Sequence, residues 1–501
     1  MTTNITYRFT LTILTVFLLG RMASMVFMPL SEPSEARYAV MVKNMADSGN
    51  FLEPNFIFRG KPECFEGKPA LPFQLGGIAC LLFGTTVFAT RIPSFIALII
   101  ILGAIYRAVS ELRNPTCAYT AVLLCCCSYI FYIFGGVMMT DMVLVCGITL
   151  SIISYIYFCS TEDISQKKWY SIAFFASMGF GMIAKGPVAI VMAGLPIFFF
   201  VLINNRWREL KYHAWIWGTL AFALICVPWY GLMTWKNPDF LYYFFVEENF
   251  NRFLHAGAAA RFGAARQSCY GMAIIWFILA NIPLVFALPM FSIKRIKSFY
   301  QRSIFSDPLG GIAALTVIVI PGFWCLTSQS LLPYLIPTTP FLAILLAVRF
   351  NDTGELEQPG RVRAIKIFTA SCAILFMIIT LIAIPVGESI QPNLNTKIYT
   401  SLQEIKQQKT WSDTPVYFMN LAPYSAEFYL NGLVINHVPE TPDESVERSS
   451  NYILVASERE IAELSDSARK RLMSRRLIIK CQTWNAFAPE ESQPVLKENK
   501  Q

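Results

Sequence analysis

An all-α polytopic membrane protein carrying a small C-terminal α/β domain is the fold class that this 501-residue sequence predicts. Three observations carry that expectation. Apolar runs of about 18–23 residues, the length that matches a bilayer core of about 30 Å, recur as far as Pro385. The chain is 55% hydrophobic and only 15% charged. Lys and Arg gather in the short loops between the runs, so the net charge of +8 follows the positive-inside pattern and gives no reason to invoke nucleic acid.

The first run, Phe9–Leu30, exceeds a signal-peptide core and lacks a small-x-small cleavage site, so it reads as a retained anchor. A first outer loop, residues 31–88, follows. Within it SEARYAVMVKNMADSG reads as a helix capped by Ser34 and ending at Gly49. Ala39, Val42, Met45 and Ala46 fall on one side, with Glu35, Lys43 and Asp47 elsewhere, a pattern that suits a helix lying on the membrane surface. Leu71–Phe83 is too short to span comfortably and carries Gln74, Gly76 and Gly77, so it reads as a juxtamembrane or re-entrant helix.

With Arg8 cytoplasmic, the later crossings are Ala89–Arg107, Cys117–Val137, Met142–Cys159, Trp169–Ala184, Val188–Ile203, His213–Trp235, Tyr270–Phe291, Gly311–Leu326, Pro333–Arg349 and Ile365–Pro385. Every basic cluster then lands inside, including NRWREL and KRIKSFYQR, for a total of about 11–13 transmembrane helices. Residues 1–386 form the transmembrane domain on this reading. Residues 387–501 form an extracytoplasmic α/β domain, with β-like VYFM (416–419), LVI (433–435), YILVA (452–456) and RLIIK (476–480) and a helical SEREIAELSDSARKRLM. The 13 cysteines lie mostly within apolar runs, where they behave as small hydrophobes, and they offer neither a disulfide framework nor a CxxC zinc pair.

Ionisable residues collect on the outer boundary. FEGKPALPF supplies Lys68, GGVMMTDMVL supplies Asp141, IAKGPVA supplies Lys185 and FFVEENFNRF supplies Glu247, Glu248 and Arg252. Each has a plain structural alternative: Asp141 as an N-cap, Lys185 as a snorkelling cation, Arg252 as the i,i+4 partner of Glu248. Arg21, in the first crossing, is either a buried partner for the cluster or a snorkelling residue. Several such groups at one membrane boundary are costly and point to a site. Cations there suit a leaving phosphate and a carboxylate suits the proton of an acceptor hydroxyl, which fits group transfer from a lipid-phosphate donor.

Taken in order over about residues 10–345, SEARY, EGKP, Asp141, AKGPVA, VPWY, ENFNRF and LPYLIP resemble the motifs of the GT-C membrane glycosyltransferases, in particular the aminoarabinose-transferase (ArnT-like) and protein O-mannosyltransferase (PMT) family. The resemblance implies an inverting transfer of a sugar from a polyprenyl-phosphate carrier to an envelope acceptor. That acceptor would be lipid A, another glycolipid or a protein, on the periplasmic face of a bacterial inner membrane. It implies Asp141 and Glu35 as catalytic-site acids, with Lys68, Arg252 and Tyr334 holding the carrier phosphate, Lys185 beside them, and Arg37 orienting the first loop or the phosphate.

The first acid of the family's pair is Ser34 here, and Glu32, one turn earlier, is the substitute available. Gly67 and Asn249 stand where some relatives carry metal ligands, so no zinc site is expected, with a divalent cation left open and no other cofactor implied. Ser330 stands where relatives carry a Lys. A ligase or polymerase of lipid-linked oligosaccharides is the competing enzyme reading. A flippase or transporter would instead place polar sites at the bilayer midplane in related halves, and a carrier-binding protein without turnover is the remaining alternative.

Overall fold

A computed structural model of the protein describes residues 7–58, 61–255, 261–262, 268–290, 304–390, 396–407, 412, 414–420, 422–431, 433–435, 441–481 and 484–490. The basic loop KRIKSFYQR falls outside the described residues. The chain divides into two compact units, one made of residues 1–26, 50–53 and 65–382, the other of 27–49, 54–64 and 383–501.

The first unit is helical, as its composition predicts. Among the described residues six helices are long and apolar enough to cross a membrane: Tyr7–Phe27, Val87–Leu112, Asp141–Ser160, Trp215–Lys236, the stretch Leu332–Asp352 and Pro359–Pro385. Shorter apolar helices cover Leu71–Phe83, Pro115–Cys125, Val188–Ile203 and Pro308–Trp324. The chain is a multi-pass membrane protein. Trp215–Lys236 shows the pattern expected beside lipid, with Ile216, Trp217, Leu224, Val227 and Trp235 exposed and Trp229, Tyr230 and Met233 turned into the protein.

Helices begin where a side chain can satisfy the free backbone N–H groups of a first turn. Thr86 Oγ1 accepts from Ala89 N at 3.1 Å, Asn114 Oδ1 from Cys117 N at 2.9 Å and Asp307 Oδ2 from Gly310 N at 2.7 Å. The same chemistry interrupts one expected crossing. Cys117–Val137 is not one helix: Pro115–Cys125 stops, Ser128 accepts from Phe131 N, and a new helix runs Tyr129–Phe134. Tyr270–Phe291 is likewise divided, into an α-helix Met272–Ala280 and a 3₁₀ segment Leu284–Met290, because Pro283 cannot donate to a continuing ladder. Ser128 Oγ donates to Ala280 O at 2.9 Å, so the two breaks face each other.

The second unit carries a five-stranded sheet in the order Val434–Ile435, Val416–Phe418, Ile453–Ser457, Trp484–Phe487, Leu477–Cys481. The pairings of Val416–Phe418 are parallel and the remaining two are antiparallel. The two-residue period of a strand separates two cores. Val416, Phe418, Ile453 and Val455 join Ile398 and Leu402, whereas Tyr417, Met419, Leu454 and Ala456 join Val446 and Leu472. The stretch SEREIAELSDSARKRLM forms two helices, Glu458–Ala462 and Asp466–Met473. Ser457 and Glu460 close a capping box at the first and Ser465 caps the second.

The helix of the first outer loop runs Ser34–Ser48 and ends at Gly49 with φ 69°, as its sequence predicts. It is not a surface helix with one wet side, and Ser34 does not cap it. Pro33 stands at the cap position without a side-chain bond, and Glu35 Oε2 instead accepts from Ser31 N at 2.9 Å. Glu35 and Lys43 are buried along with Ala39, Val42 and Met45.

Candidate functional site

Two antiparallel helices, Asp141–Ser160 and Ile164–Lys185, are joined by a short polar turn, so the first residue of one meets the last residue of the other. Their backbones approach closely at Gly147 and Gly181: a Cβ built on Gly147 would lie 2.7 Å from Gly181 N and Cα. Ser151 Oγ donates to Phe174 O at 3.1 Å within the same contact. At the open end Lys185 Nζ sits 2.5 Å from Asp141 Oδ1, with the Asp141 side chain only 4% exposed. Asp141 makes no cap bond; it is the first helical residue, where a carboxylate suits the positive end of the helix, and Lys185 suits the negative end of its own.

The KGP turn fixes the next element. Gly186 has φ +105°, and a Cβ there would meet the Phe244 ring at 2.7 Å. Phe244 belongs to a π-helical segment, Tyr242–Asn251, a rare geometry that recurs at functional sites. This segment presents Glu248, whose Oε1 receives Arg252 NH1 at 2.6 Å and Lys68 Nζ at 2.9 Å. One almost fully buried carboxylate thus holds two cations, one four residues away and one 180 residues away in the chain. Burial pulls the Arg252 guanidinium down, but the neighbouring Glu248 outweighs it and the net shift is upward.

Both pairs open onto a cavity of about 480 Å³. Its wall takes Lys68, Asp141, Lys185, Glu248, Arg252 and Tyr334, backed by aromatic rings. Phe253 stacks on Phe323 with centroids 4.7 Å apart, Trp324 lies 4.5 Å from Tyr334, and Lys185 Nζ stands 5.2 Å from the Tyr334 centroid. Three cations face two carboxylates, so the wall carries excess positive charge on an otherwise apolar lining, which suits an amphiphilic anion.

The cavity collects five of the eight residues for which the resemblance suggested a role. The other three, Glu32, Glu35 and Arg37, belong to the second unit. Glu32 Oε1 accepts from Ser425 N at 2.6 Å, and burial raises its carboxyl above the usual range. Arg37 lies 5.5 Å from the Tyr38 centroid, 6.0 Å from that of Phe56 and 5.9 Å from that of Tyr424. Sequence reasoning placed Glu248 on the outer boundary but did not give it the central position, and it passed over Phe323 and Trp324. The i,i+4 spacing of Glu248 and Arg252 was the available signal for the first; the aromatic pair had none.

Known proteins resemble this chain in sequence and in fold. A family model for dolichyl-phosphate-mannose-protein mannosyltransferase matches residues 68–231, which include Lys68, Asp141 and Lys185. Undecaprenyl phosphate-alpha-4-amino-4-deoxy-L-arabinose arabinosyl transferases align with the chain. That of Shewanella sediminis is 24% identical over 66% of this chain and 58% of its own length, and that of Enterobacter sp. 25% identical over 80% and 68%. The chain is thus similar to the GT-C glycosyltransferases of the ArnT-like/PMT family. The crystal structure of ArnT from Cupriavidus metallidurans bound to undecaprenyl phosphate has the same fold, with a TM-score of 0.77 at 16% identity over 96% of this chain and 98% of that one. The archaeal oligosaccharyltransferase AglB from Archaeoglobus fulgidus, in complex with an inhibitory peptide and a dolichol-phosphate, follows at 0.57 and 12%, over 98% and 75%. The chain spans 58% of the length of the Shewanella relative and 56% of that of a Proteus mirabilis relative.

Gly67 offers no side-chain donor, and Asn249 Nδ2 donates to Phe244 O at 2.6 Å. Ser330, where relatives carry a Lys, is buried and shares a hydroxyl contact of 3.1 Å with Ser268.

Proposed function

We propose that the protein transfers a sugar from a polyprenyl-phosphate carrier to an envelope acceptor, a glycolipid such as lipid A or a protein, on the periplasmic side of a bacterial inner membrane. The single observation that carries the reading is the cavity in which Lys68 and Arg252 converge on one carboxylate oxygen while Asp141 and Lys185 pair beside them. Similarity to the undecaprenyl-phosphate arabinosyl transferases supports the donor class, and the positive-inside charge pattern supports the side.

In the reaction, Lys68 and Arg252, with Tyr334, hold the carrier phosphate. The bond between the sugar's anomeric carbon and the phosphate oxygen breaks, and its electron pair stays on the phosphate, whose growing charge the two cations neutralise. The acceptor oxygen attacks the opposite face of the same carbon, which inverts it. Where the acceptor is a hydroxyl, its proton passes to the Asp141 carboxylate, which Lys185 keeps aimed into the cavity. Glu35 and Arg37 enter the proposal on the family resemblance alone.

The test is transfer itself. Purified protein is given a polyprenyl-phosphate-linked sugar and a panel of envelope acceptors, and mass spectrometry looks for the glycosylated product. Asp141→Asn should lower turnover about 10²–10⁴-fold, the range of a lost general base, with the unfolding temperature retained. A wild-type rate in that variant removes Asp141 from the mechanism. Transfer of a whole oligosaccharide, and only that, would favour a ligase.

A further inference from the structure

The two ion pairs of the cavity are not equivalent. Asp141 and Lys185 balance one for one. Glu248 meets both Lys68 and Arg252 through the same oxygen, so one negative charge serves two positive ones. The unbalanced charge of the wall is therefore localised at Lys68 and Arg252. Arg252 also has a buried Nε–H that meets no acceptor among the described residues. A guanidinium is a planar fork built for two parallel bonds to an oxyanion, and here one of its prongs is idle.

We infer that Glu248 is a positioning residue that stands in for the carrier phosphate: its carboxylate holds Lys68 and Arg252 at the spacing of an oxyanion clamp while the cavity is empty, and opposes the phosphate when it binds. This rests on the proposed function and adds a role that the transfer reaction does not itself demand. Without an acceptor oxygen between them, two cations this close would repel and swing apart, and the clamp would have to be rebuilt at each binding event. With a carboxylate there, the clamp is preformed. Part of the phosphate's attraction is then cancelled, which weakens the hold on the spent carrier and lets it leave.

The sign of one substitution separates this role from a purely structural one. Glu248→Gln keeps the shape and an acceptor oxygen but removes the charge. Binding of undecaprenyl phosphate to the detergent-solubilised full chain should tighten by about tenfold or more, and should fall more steeply with salt. KM for the sugar-linked carrier and kcat should then fall together as release of the carrier becomes slow. Glu248→Asp keeps the charge and should leave carrier affinity within about threefold of wild type. Weaker or unchanged binding in Glu248→Gln overturns the inference and leaves the proposed function standing. Tightening in Glu248→Asp equal to that in Gln overturns it too, since charge would not be the cause. A wild-type protein that binds no undecaprenyl phosphate overturns the proposed function and this inference with it.

Discussion

Lys68 lies before the helix Leu71–Phe83, in a loop whose only sequence signal is the EGKP motif, yet its amine reaches Glu248 at 2.9 Å. Lys68→Ala deletes one of the two cations that meet Glu248 and returns that carboxylate to a one-to-one pair with Arg252. Affinity for undecaprenyl phosphate, measured by competition with a fluorescent analogue, should drop about 10–100-fold while the unfolding temperature changes little. Unchanged affinity would remove Lys68 from the phosphate site. At this scale sequence reading found the charged types and their order, because ionisable groups beside apolar runs are conspicuous. It could not find their partners. The contact between Lys68 and Glu248 closes over 180 residues, and the aromatic neighbours Phe323 and Trp324 look like any other apolar residues in a membrane chain.

Among elements, the hairpin Asp141–Ser160 with Ile164–Lys185 sets the geometry of the site by a contact without side chains. Gly147→Ala puts a methyl group 2.7 Å from the Gly181 backbone, and no rotamer change can relieve a clash with a main chain. The expected cost is about 1–3 kcal/mol, read as a lower unfolding temperature in detergent, with activity lost beyond what stability explains because Asp141 and Lys185 lose register. A variant as stable and active as wild type would show that the close approach is not needed. Helix extents were largely legible, and Leu71–Phe83 and Val188–Ile203 have the limits read from the sequence. The breaks at Ser128 and Pro283 were not, since a capping serine inside an apolar run is invisible to hydropathy. The strand Trp484–Phe487 was missed for a related reason: four residues, WNAF, are too few to show an alternation.

For the whole molecule, the composition change near Pro385 marked the onset of a second kind of structure. What it could not reveal is that Phe27–Gly49 and Pro54–Cys64 belong to that second unit, because hydropathy does not report which surfaces pair. That pairing carries its own pH dependence. Glu427 lies near Lys43 and Asn44 of the helix Ser34–Ser48, and burial raises its carboxyl to about 7, against the opposing effect of those two neighbours. A carboxyl raised above its unfolded value of 4.5 stabilises the folded unit fully below that pH, and this contribution is lost as pH rises through about 7. Hydrogen exchange in segments 34–48 and 424–430 of the full chain should therefore, after correction for intrinsic rates, lose protection between pH 4.5 and 7. Glu427→Gln should flatten that change; an equal slope in the variant would assign it to another group.

The turn between the hairpin helices, Thr161–Asp163, lies at the far end from Asp141 and Lys185, with Glu162 and Asp163 exposed. A residue added within either helix rotates everything beyond it by about 100°, which would break the glycine contact and turn a charge out of the cavity. A residue added at the turn rotates nothing, because each helix is anchored by its own contact with the other. That makes Thr161–Asp163 the natural attachment point for a fluorophore or an epitope, a handle on the chain that leaves its chemistry alone.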